Sequence, residues 1–513
     1  MNNAPAILRT LIVYSICVPL AIWLGYLLTS LADFSRSTFI ETGLFALALA
    51  LPLFLRWHYV LLVLSINLSM TLFFLPGHPG VFLPMLAISL GISVLQRSLN
   101  KDMRFISAPQ ITKPLICLAA VVLVTAKLTG GIGLRSFGGD VMGGRGYIEL
   151  FAGILAYFAL TARRIPPQQA GIYIVLFILP LCANVIGDLD IFLPSSFNFL
   201  YWFFAPNTYI TSDSEISSGG MRFGGVALMS QAIISLMLAR YGVRGIFLSG
   251  KPWRTVALAL FFVLALFGGF RSIIITCAMI FLIVFFLEGM QRTTLLPLFL
   301  FIGLFAAVLA VPFANKLPYI FQRSLAFLPL NIDPAARYDA ESSSNWRFEM
   351  FDAILPEVPS HLLLGKGYVL SQTDFQDIST SGFHALSADE SNAALAGDYH
   401  NGFLSVVMPF GIWGLIAMVW FSIAGCHALY CNYRYGDPAL RTINALLFAM
   451  FATHVFVFWS PIFGSLHSDM LPLAALLGLG VSMNGGICRP ATEPVKPAAP
   501  AFSRRRLLAG FQR

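Results

Sequence analysis

The sequence predicts an all-α, polytopic membrane protein with about 14 transmembrane helices. Of its 513 residues, 58% are hydrophobic and only 11% are charged, whereas soluble globular proteins carry about 25% charged residues. The apolar runs are long and unbroken, while the strands of an outer-membrane barrel would alternate over about ten residues. This composition excludes a cytosolic enzyme, a secreted disulfide scaffold and a disordered chain.

Hydropathy over a window of about 19 residues locates the individual spans. They lie near residues 10–30, 41–55, 58–75, 81–96, 112–128, 147–162, 169–187, 223–240, 255–269, 272–288, 294–313, 402–430, 442–460 and 468–486. The first run is long enough to span and no small-residue cleavage site follows it, so we expect a helix rather than a signal peptide. The even number places both termini on one side.

The basic residues sort the connectors between the spans into two sets. One set carries 21 of the 32 Lys and Arg residues and the other carries the remaining 11. Because the side richer in Lys and Arg is cytoplasmic, we expect both termini, including the basic tail, in the cytoplasm. The net charge of +8 therefore reflects membrane orientation, and we expect no nucleic-acid partner.

This orientation divides the chain into five parts. Residues 1–222 form N-terminal spans with an outer loop at 188–222, and residues 223–313 form further spans. A large outer loop at 314–401 separates spans 11 and 12, and C-terminal spans (402–486) and a cytoplasmic tail (487–513) follow. Long surface loops usually carry function. Since both long loops face away from the cytoplasm, ATP and nucleotide sugars are poor substrate candidates.

Among the arginines of the outer side, which run against the positive-inside preference, three are singled out by their positions. Arg271 lies in a minimal turn between spans nine and ten, Arg222 at the mouth of span eight, and Arg347 inside the large loop. A guanidinium suits planar, bidentate recognition of phosphate, and glycines beside Arg222 and Arg271 permit close backbone approach. Together they could bind a diphosphate. Alternatively, each could snorkel to the interface or pair with an outer acid.

The end of the large loop offers a candidate base. His400 lies just before span twelve, and a histidine there can be charged or neutral near neutral pH. It could act as general base on a hydroxyl or as donor to phosphate, or it could be a satisfied interfacial residue. Asp389, Glu390 and Asp398 could share the base role, and their spacing does not choose among them.

The middle of the same loop, Trp346–Val358, predicts a short amphipathic helix that ends at prolines. Its apolar face would consist of Phe348, Phe351, Leu355 and Val358. Such a helix could lie flat on the membrane or pack on the bundle, and packing is the favoured interpretation. The histidines of the loop match no metal motif, and the chain carries no P-loop, so we expect neither metal nor cofactor.

Several motifs follow one another in a fixed order over about residues 220–430. They are an outward arginine, the turn Phe270-Arg271-Ser272, a large outer loop with Arg347 and Phe351, Gly365-Lys366-Gly367, His400-Asn401-Gly402-Phe403-Leu404, and Phe410-Gly411-Ile412-Trp413-Gly414. This order resembles the O-antigen ligase and polymerase superfamily. The family turn commonly reads Ser-Arg-Gly. Here the arginine is kept and its neighbours differ.

The resemblance implies an O-antigen ligase-like membrane fold and a reaction. Members transfer a glycan from undecaprenyl diphosphate at the periplasmic face to a sugar hydroxyl, without nucleotide or metal. By this resemblance Arg222 and Arg271 would hold the diphosphate, Arg347 would add a contact, and His400 would lie at the reacting centre. Asp398 and Asn401 are possible base or acceptor contacts. Guanidinium groups at a partly dry interface would stabilise the leaving diphosphate.

The resemblance also implies the partners and the location. The expected partners are the lipid-linked glycan donor, a glycan acceptor, the bilayer and other polysaccharide assembly proteins, in the bacterial inner membrane. Fourteen spans favour a polysaccharide polymerase, which extends the next lipid-linked repeat unit, over an O-antigen ligase, which attaches the finished chain to lipid A core. A transporter of lipid-linked sugars would need ionisable residues at mid-membrane depth, and a purely structural membrane partner would leave the outward arginines unexplained.

Overall fold

The computed structural model describes residues 54–75, 77–100, 105–130, 143–207, 221–368 and 397–490, with isolated positions 19, 22, 25 and 52. The chain divides into two compact units, residues 1–62 and residues 63–513, and the site described below lies within the second. The described residues are mainly helical, and their β-pairing consists of two isolated bridges, Met70 with Phe204 and Thr71 with Gly80.

Most of the described helices follow one another closely along the chain. In chain order they are α1 (Phe54–Ile66), α2 (Phe82–Leu99), α3 (Pro109–Leu128), α4 (Gly144–Thr161), α5 (Pro167–Asp188), α6 (Gly224–Phe247), α7 (Pro252–Ala265), α8 (Arg271–Leu287), α9 (Leu295–Phe313), α10 (Tyr319–Ser324), α11 (Pro334–Ile354), α12 (Gly402–Tyr435), α13 (Arg441–Phe458) and α14 (Leu466–Asn484). The two longest connections among them lie between α5 and α6 and between α11 and α12.

Length and composition support a multi-pass membrane protein. Among the described residues, seven helices are long and apolar enough to cross a bilayer, namely α2, α3, α5, α6, α12, α13 and α14. The helices α1, α7, α8 and α9 are apolar but shorter. The predicted spans at 10–30 and 41–55 lie almost wholly outside the described residues, so the total of about 14 spans stays a prediction.

The helix predicted at 58–75 is wrong at its end. Helix α1 stops at Ile66, and the Asn67 side chain donates to the Phe177 carbonyl oxygen at 2.7 Å. The chain then runs extended, where the Thr71 amide donates to the Phe203 carbonyl oxygen at 2.7 Å. Hydropathy alone does not separate these states, because the run stays apolar through the change of backbone conformation.

The amphipathic helix predicted at Trp346–Val358 is longer than expected. It is the second half of α11, which begins at Pro334 where the Asp333 carboxylate accepts a hydrogen bond from the Ala335 amide at 2.8 Å. A proline in the first turn and a capping aspartate are typical of a helix start. The α-helix ends at Ile354, ahead of the prolines, and two short turns of helix continue to His361.

Small residues allow the central helices to approach closely. A Cβ atom on Gly153 of α4 would lie 2.9 Å from the Leu471 nitrogen of α14, and one on Gly478 would lie 2.8 Å from the Leu160 Cβ atom. In membranes, close packing of this kind is a main source of helix association. The pair α4–α14 therefore forms a rigid support beside the site.

Candidate active site

All three predicted arginines line one cavity of about 600 Å³. It lies at the N-terminal ends of α6 and α8 and is covered by α10 and α11, and we call it the arginine cavity. Its lining residues with polar or aromatic side chains are Arg222, Phe270, Arg271, Ser272, Tyr319, Arg323, Asp339, Ser342, Ser343, Trp346, Arg347 and Phe463. The three arginines are separated by up to 125 positions in the chain, so the fold alone brings them together.

Two glycines before α8 bring Arg222 and Arg271 to the same wall. The Phe223 amide donates to the Phe267 carbonyl oxygen at 2.9 Å, which joins the entry of α6 to the turn. Gly269 has a φ of +64°, and a Cβ atom there would lie 2.6 Å from the Ile320 Cδ1 atom and 3.3 Å from the Arg222 Cδ atom. Only glycine adopts this conformation without strain in so little space.

The departure of this turn from the usual family sequence has a structural counterpart. Phe270 is extended and precedes the first residue of α8. Its ring lies under the Arg222 guanidinium, with 5.9 Å between the guanidinium carbon and the ring centroid. An aromatic face attracts a cation at this distance. Phe270 therefore orients one phosphate-binding candidate while its neighbour Arg271 provides the next.

Helix α11 holds the other guanidinium groups in place. The Arg271 Nη2 atom donates to the Ala340 carbonyl oxygen at 2.8 Å and to the Ser344 hydroxyl at 2.9 Å. The Arg347 Nη1 atom donates to the Ser343 hydroxyl at 3.0 Å, and its guanidinium carbon lies 4.7 Å from the Trp346 ring centroid. These contacts leave each planar group oriented along a cavity wall.

Sequence reasoning missed a fourth arginine in this wall. Arg323 on α10 is buried, with 8% of its surface exposed, and it lines the arginine cavity. Nearby, the Tyr319 hydroxyl donates to the Asp339 carboxylate. Burial and that carboxylate raise the pKa of Tyr319, so the hydroxyl stays protonated. The lining thus has four guanidinium groups and one carboxylate, a balance suited to a multiply charged anion.

His400 lies at the edge of the arginine cavity. Its ring meets that of Trp346 edge to face, with 5.2 Å between the centroids. Burial lowers the pKa of His400, and the Asp398 carboxylate opposes that shift. The imidazole is therefore mainly neutral at pH 7, the form in which it accepts a proton.

The backbone at His400 is held in an unusual conformation. Its φ is +46°, a left-handed value that costs a non-glycine residue about 1–2 kcal/mol. The neighbours Tyr399 and Asn401 are both buried. Strained backbone of this kind is concentrated at functional sites. Two buried anchors and a strained residue between them fix the direction of the imidazole.

The side chains of Asp398 and Asn401 contact different parts of the protein. One Asp398 carboxylate oxygen lies 3.7 Å from the His400 Nδ1 atom. The Asn401 side chain instead caps α12, accepting from the Leu404 amide at 3.1 Å and donating to the Pro461 carbonyl oxygen at 3.1 Å. Both polar ends of Asn401 are thus hydrogen-bonded within the protein, and its role as an acceptor contact stays a prediction. Asp389 and Glu390 lie outside the described residues.

A break in α12 anchors the segment that follows α11. At Gly411 the backbone leaves the helical region, with a φ of 62° and a ψ of −160°. The freed carbonyl groups of Met408 and Pro409 accept from the amides of Lys366 and Gly367 at 2.7 and 3.0 Å. This pairing gives the Gly365-Lys366-Gly367 sequence its structural role.

An apolar contact also joins α11 to α12. Met350, Ile354 and Val358 pack against Tyr399 and other buried residues at the start of α12. Of the predicted apolar face, Phe351 and Val358 take part in this contact, whereas Phe348 and Leu355 are 47% and 42% exposed. The helix packs on the bundle, as favoured from the sequence, and this contact holds the arginines of α11 beside His400.

A second polar group lies near His400, on α4 and α14, and was not predicted. The Glu149 carboxylate accepts from Arg145 at 2.7 Å and lies 3.9 Å from the His467 Nε2 atom. Tyr368, whose ring is 6.1 Å from that of His467, has a buried hydroxyl without a hydrogen-bond partner among the described residues. Its pKa is raised by burial and by neighbouring groups, Asp398 and Glu149 included, so it remains a donor.

Part of the chain is similar to a known family. Residues 256–419 match the family model described as O-antigen ligase. This stretch contains Arg271, Arg323, Arg347 and His400, and the match confirms the resemblance to the O-antigen ligase and polymerase superfamily. No curated protein matches the chain. Residues 256–419 are thus similar to the O-antigen ligase family, within a chain whose long apolar helices support a multi-pass membrane protein.

Proposed function

We propose that this protein transfers a glycan from undecaprenyl diphosphate to a sugar hydroxyl at the periplasmic face of the bacterial inner membrane. The convergence of four arginines on one cavity of about 600 Å³ carries the proposal. A diphosphate bears several negative charges, and guanidinium groups recognise phosphate oxygens in pairs. The adjoining apolar helices offer the prenyl chain a lipid-like surface.

In the proposed reaction the acceptor hydroxyl attacks the anomeric carbon of the donor sugar. The bond between that carbon and the diphosphate oxygen breaks, and the leaving diphosphate keeps the electron pair. Arg222, Arg271, Arg323 and Arg347 stabilise the charge that develops on it. The acceptor proton passes to His400. Because Nδ1 is the nitrogen nearer to Asp398, Nε2 is the nitrogen assigned to the proton.

We infer that the acceptor is the next lipid-linked repeat unit, so that the protein is a polysaccharide polymerase of O-antigen or exopolysaccharide synthesis. The predicted count of about 14 spans supports this choice. The second candidate is a ligase that attaches the finished chain to lipid A core, and the description of the matching family model favours it. Both candidates use the same donor, arginine cavity and base.

The test uses cells in which the gene is deleted and the wild-type, His400→Ala or Arg271→Gln protein is supplied in its place. Their surface and lipid-linked glycans are compared on a gel. Single repeats on the acceptor without long chains would indicate a polymerase. Long chains accumulating on the prenyl carrier would indicate a ligase. His361→Ala and Arg337→Gln serve as matched controls, because neither residue lines the arginine cavity.

The same experiment can contradict the proposal. If both variants are present at normal levels in the membrane and give wild-type glycans, the assignment of His400 and Arg271 is wrong. Transport of lipid-linked sugars would then become the leading hypothesis.

A further inference from the structure

A second cavity of about 550 Å³ lies at the other ends of the helices that carry the arginine cavity. It adjoins the C-terminal ends of α6 and α8, which have 24 and 17 residues and lengths of roughly 36 and 26 Å. We call it the basal cavity. Its lining residues are Tyr241, Arg244, Gly245, Glu288, Tyr433, Arg441, Thr442 and Ala445.

The single acidic residue in the described lining is already engaged. Helix α6 is interrupted at Gly242, which has a φ of 61°. The Glu288 carboxylate accepts from the amides of Val243 and Arg244 there, at 3.2 and 2.8 Å. It therefore stabilises the interruption in α6, and its oxygen atoms are directed to backbone N–H groups.

A third arginine beside the basal cavity is also engaged. The Arg254 Nη1 atom donates to the Gly245 carbonyl oxygen at 2.7 Å, and its guanidinium carbon lies 3.8 Å from the Tyr241 ring centroid. The guanidinium groups of Arg244 and Arg441 differ, because no hydrogen bond joins either of them to another described residue. The Arg441 guanidinium carbon lies 5.7 Å from the Tyr433 ring centroid, and both arginines interact electrostatically with the Glu288 carboxylate. Both line the basal cavity.

From this arrangement we propose that the basal cavity binds the phosphate of an anionic phospholipid headgroup. Arg244 and Arg441 would contact the phosphate oxygens, and the Thr442 hydroxyl would add a donor. Basic pockets between transmembrane helices on the cytoplasmic side suit such headgroups. By the distribution of Lys and Arg, this is the side on which the basal cavity lies.

The surface next to the cavity favours a lipid over a soluble phosphate. Trp253 on α7 lies 6.2 Å from the lining residue Tyr241, measured between ring centroids. Trp253, Val256 and Leu260 are 55%, 66% and 52% exposed, which provides an apolar face for an acyl chain. Tryptophan at such a position is typical of the membrane–water interface.

The test measures the thermal unfolding midpoint of the purified full-length protein in a neutral detergent. Short-chain phosphatidylglycerol, short-chain phosphatidylcholine and inorganic phosphate are titrated separately. We expect phosphatidylglycerol to raise the midpoint in a saturable manner and the other two to have no effect in the same concentration range. Arg244→Gln and Arg441→Gln should each weaken the apparent affinity about fivefold.

Matched controls separate binding from folding. Arg240→Gln removes the same charge one turn earlier in α6, outside the cavity lining, and should keep the wild-type response. Arg244→Lys keeps the charge, and recovery of part of the affinity would support the proposal. An equal response of the double variant R244Q/R441Q, or no response of the wild type, would overturn it, and an equal response to inorganic phosphate would overturn the choice of a lipid.

Discussion

The arginine cavity and the basal cavity lie at opposite ends of α6 and α8, and arginine side chains line both of them in different surroundings. Both hold about 550–600 Å³ and are lined by arginine, tyrosine and a carboxylate. Four arginines line the first and two line the second. A histidine, His400, lies at the edge of the arginine cavity and is held with a φ of +46°, and the described lining of the basal cavity contains no histidine.

This difference distinguishes a site that could bind a phosphate group from a site that could also transfer a sugar from it. Arginines alone bind and orient an anion, whereas transfer also needs a group that accepts the acceptor proton. In the proposed function the arginine cavity combines the two, whereas the carboxylate in the described lining of the basal cavity, Glu288, accepts from backbone amides. The comparison predicts that charge removal at the two ends has unequal effects on glycan transfer.

The largest effect is expected for His400→Ala. Loss of a general base typically lowers a rate by about 10²–10⁴-fold, and the cavity that holds the donor would remain. Glycan transfer by the purified variant in a membrane-mimetic environment should therefore fall by that factor, while donor binding changes little. His361→Ala is the control in the same loop. A His400→Ala rate within threefold of the wild type would remove the base from the proposed reaction.

The next effect compares arginines at the two ends. Arg271→Gln should lower the transfer rate by about 10²-fold, since one donor to developing charge is lost. Arg441→Gln in the basal cavity should leave the rate within about twofold in the same detergent. Arg271→Lys should restore only part of the activity, because an ammonium lacks the planar fork. Equal losses for Arg271→Gln and Arg441→Gln would contradict the separation of roles.

A third prediction concerns stability at the two ends. Gly365 and Gly289 both have positive φ, +79° and +73°, but only a Cβ atom on Gly365 would meet another atom, the Pro409 carbonyl oxygen at 2.3 Å. Gly289→Ala should cost about 1 kcal/mol through its backbone conformation. Gly365→Ala should cost about 3 kcal/mol, because the loop must also leave the break in α12. Thermal unfolding of the two variants, measured under the same conditions, gives the difference. Equal midpoints would argue against the contact between the Gly365 segment and the break in α12.

The sequence predicts those candidate residues that depart from a general rule of membrane proteins. Arg222, Arg271 and Arg347 were predicted because they violate the positive-inside preference, and His400 because it lies where a loop meets a span. Arg323 breaks the same preference, but its position in a short loop helix carries no further signal. Its place in the cavity depends on the fold of α10 against the turn before α8.

Three other features of the structure do not follow from the sequence alone, and each has a physical reason. The first half of α11 is polar, so a search for apolar periodicity overlooked it, although Asp333-Pro334 marks a helix start. The end of α1 depends on hydrogen bonds to Phe177 and Phe203, more than 100 positions away. Glu149 and His467 lie on separate helices, and the contact between α4 and α14 that unites them is set by packing of small residues.

The smallest effect expected is a shift in the pH dependence of transfer. Burial lowers the pKa of His400, and Asp398 opposes this shift. The base acts in its neutral form, so the transfer rate should fall as pH drops through the pKa of His400. Asp398→Asn removes the charge that raises this pKa. The acidic limb of kcat/KM should therefore move to lower pH, by about half a unit.

The direction of that shift distinguishes electrostatic support from a merely structural role. Asp352→Asn removes an exposed carboxylate on α11, away from the imidazole, and should leave the acidic limb in place. If Asp398→Asn lowers the rate equally at every pH, Asp398 orients His400 without influencing its pKa. If the limb moves to higher pH, another group is the base. Either result would leave the four arginines as the proposed binding site for the diphosphate, because their contacts with α11 and Phe270 do not involve Asp398.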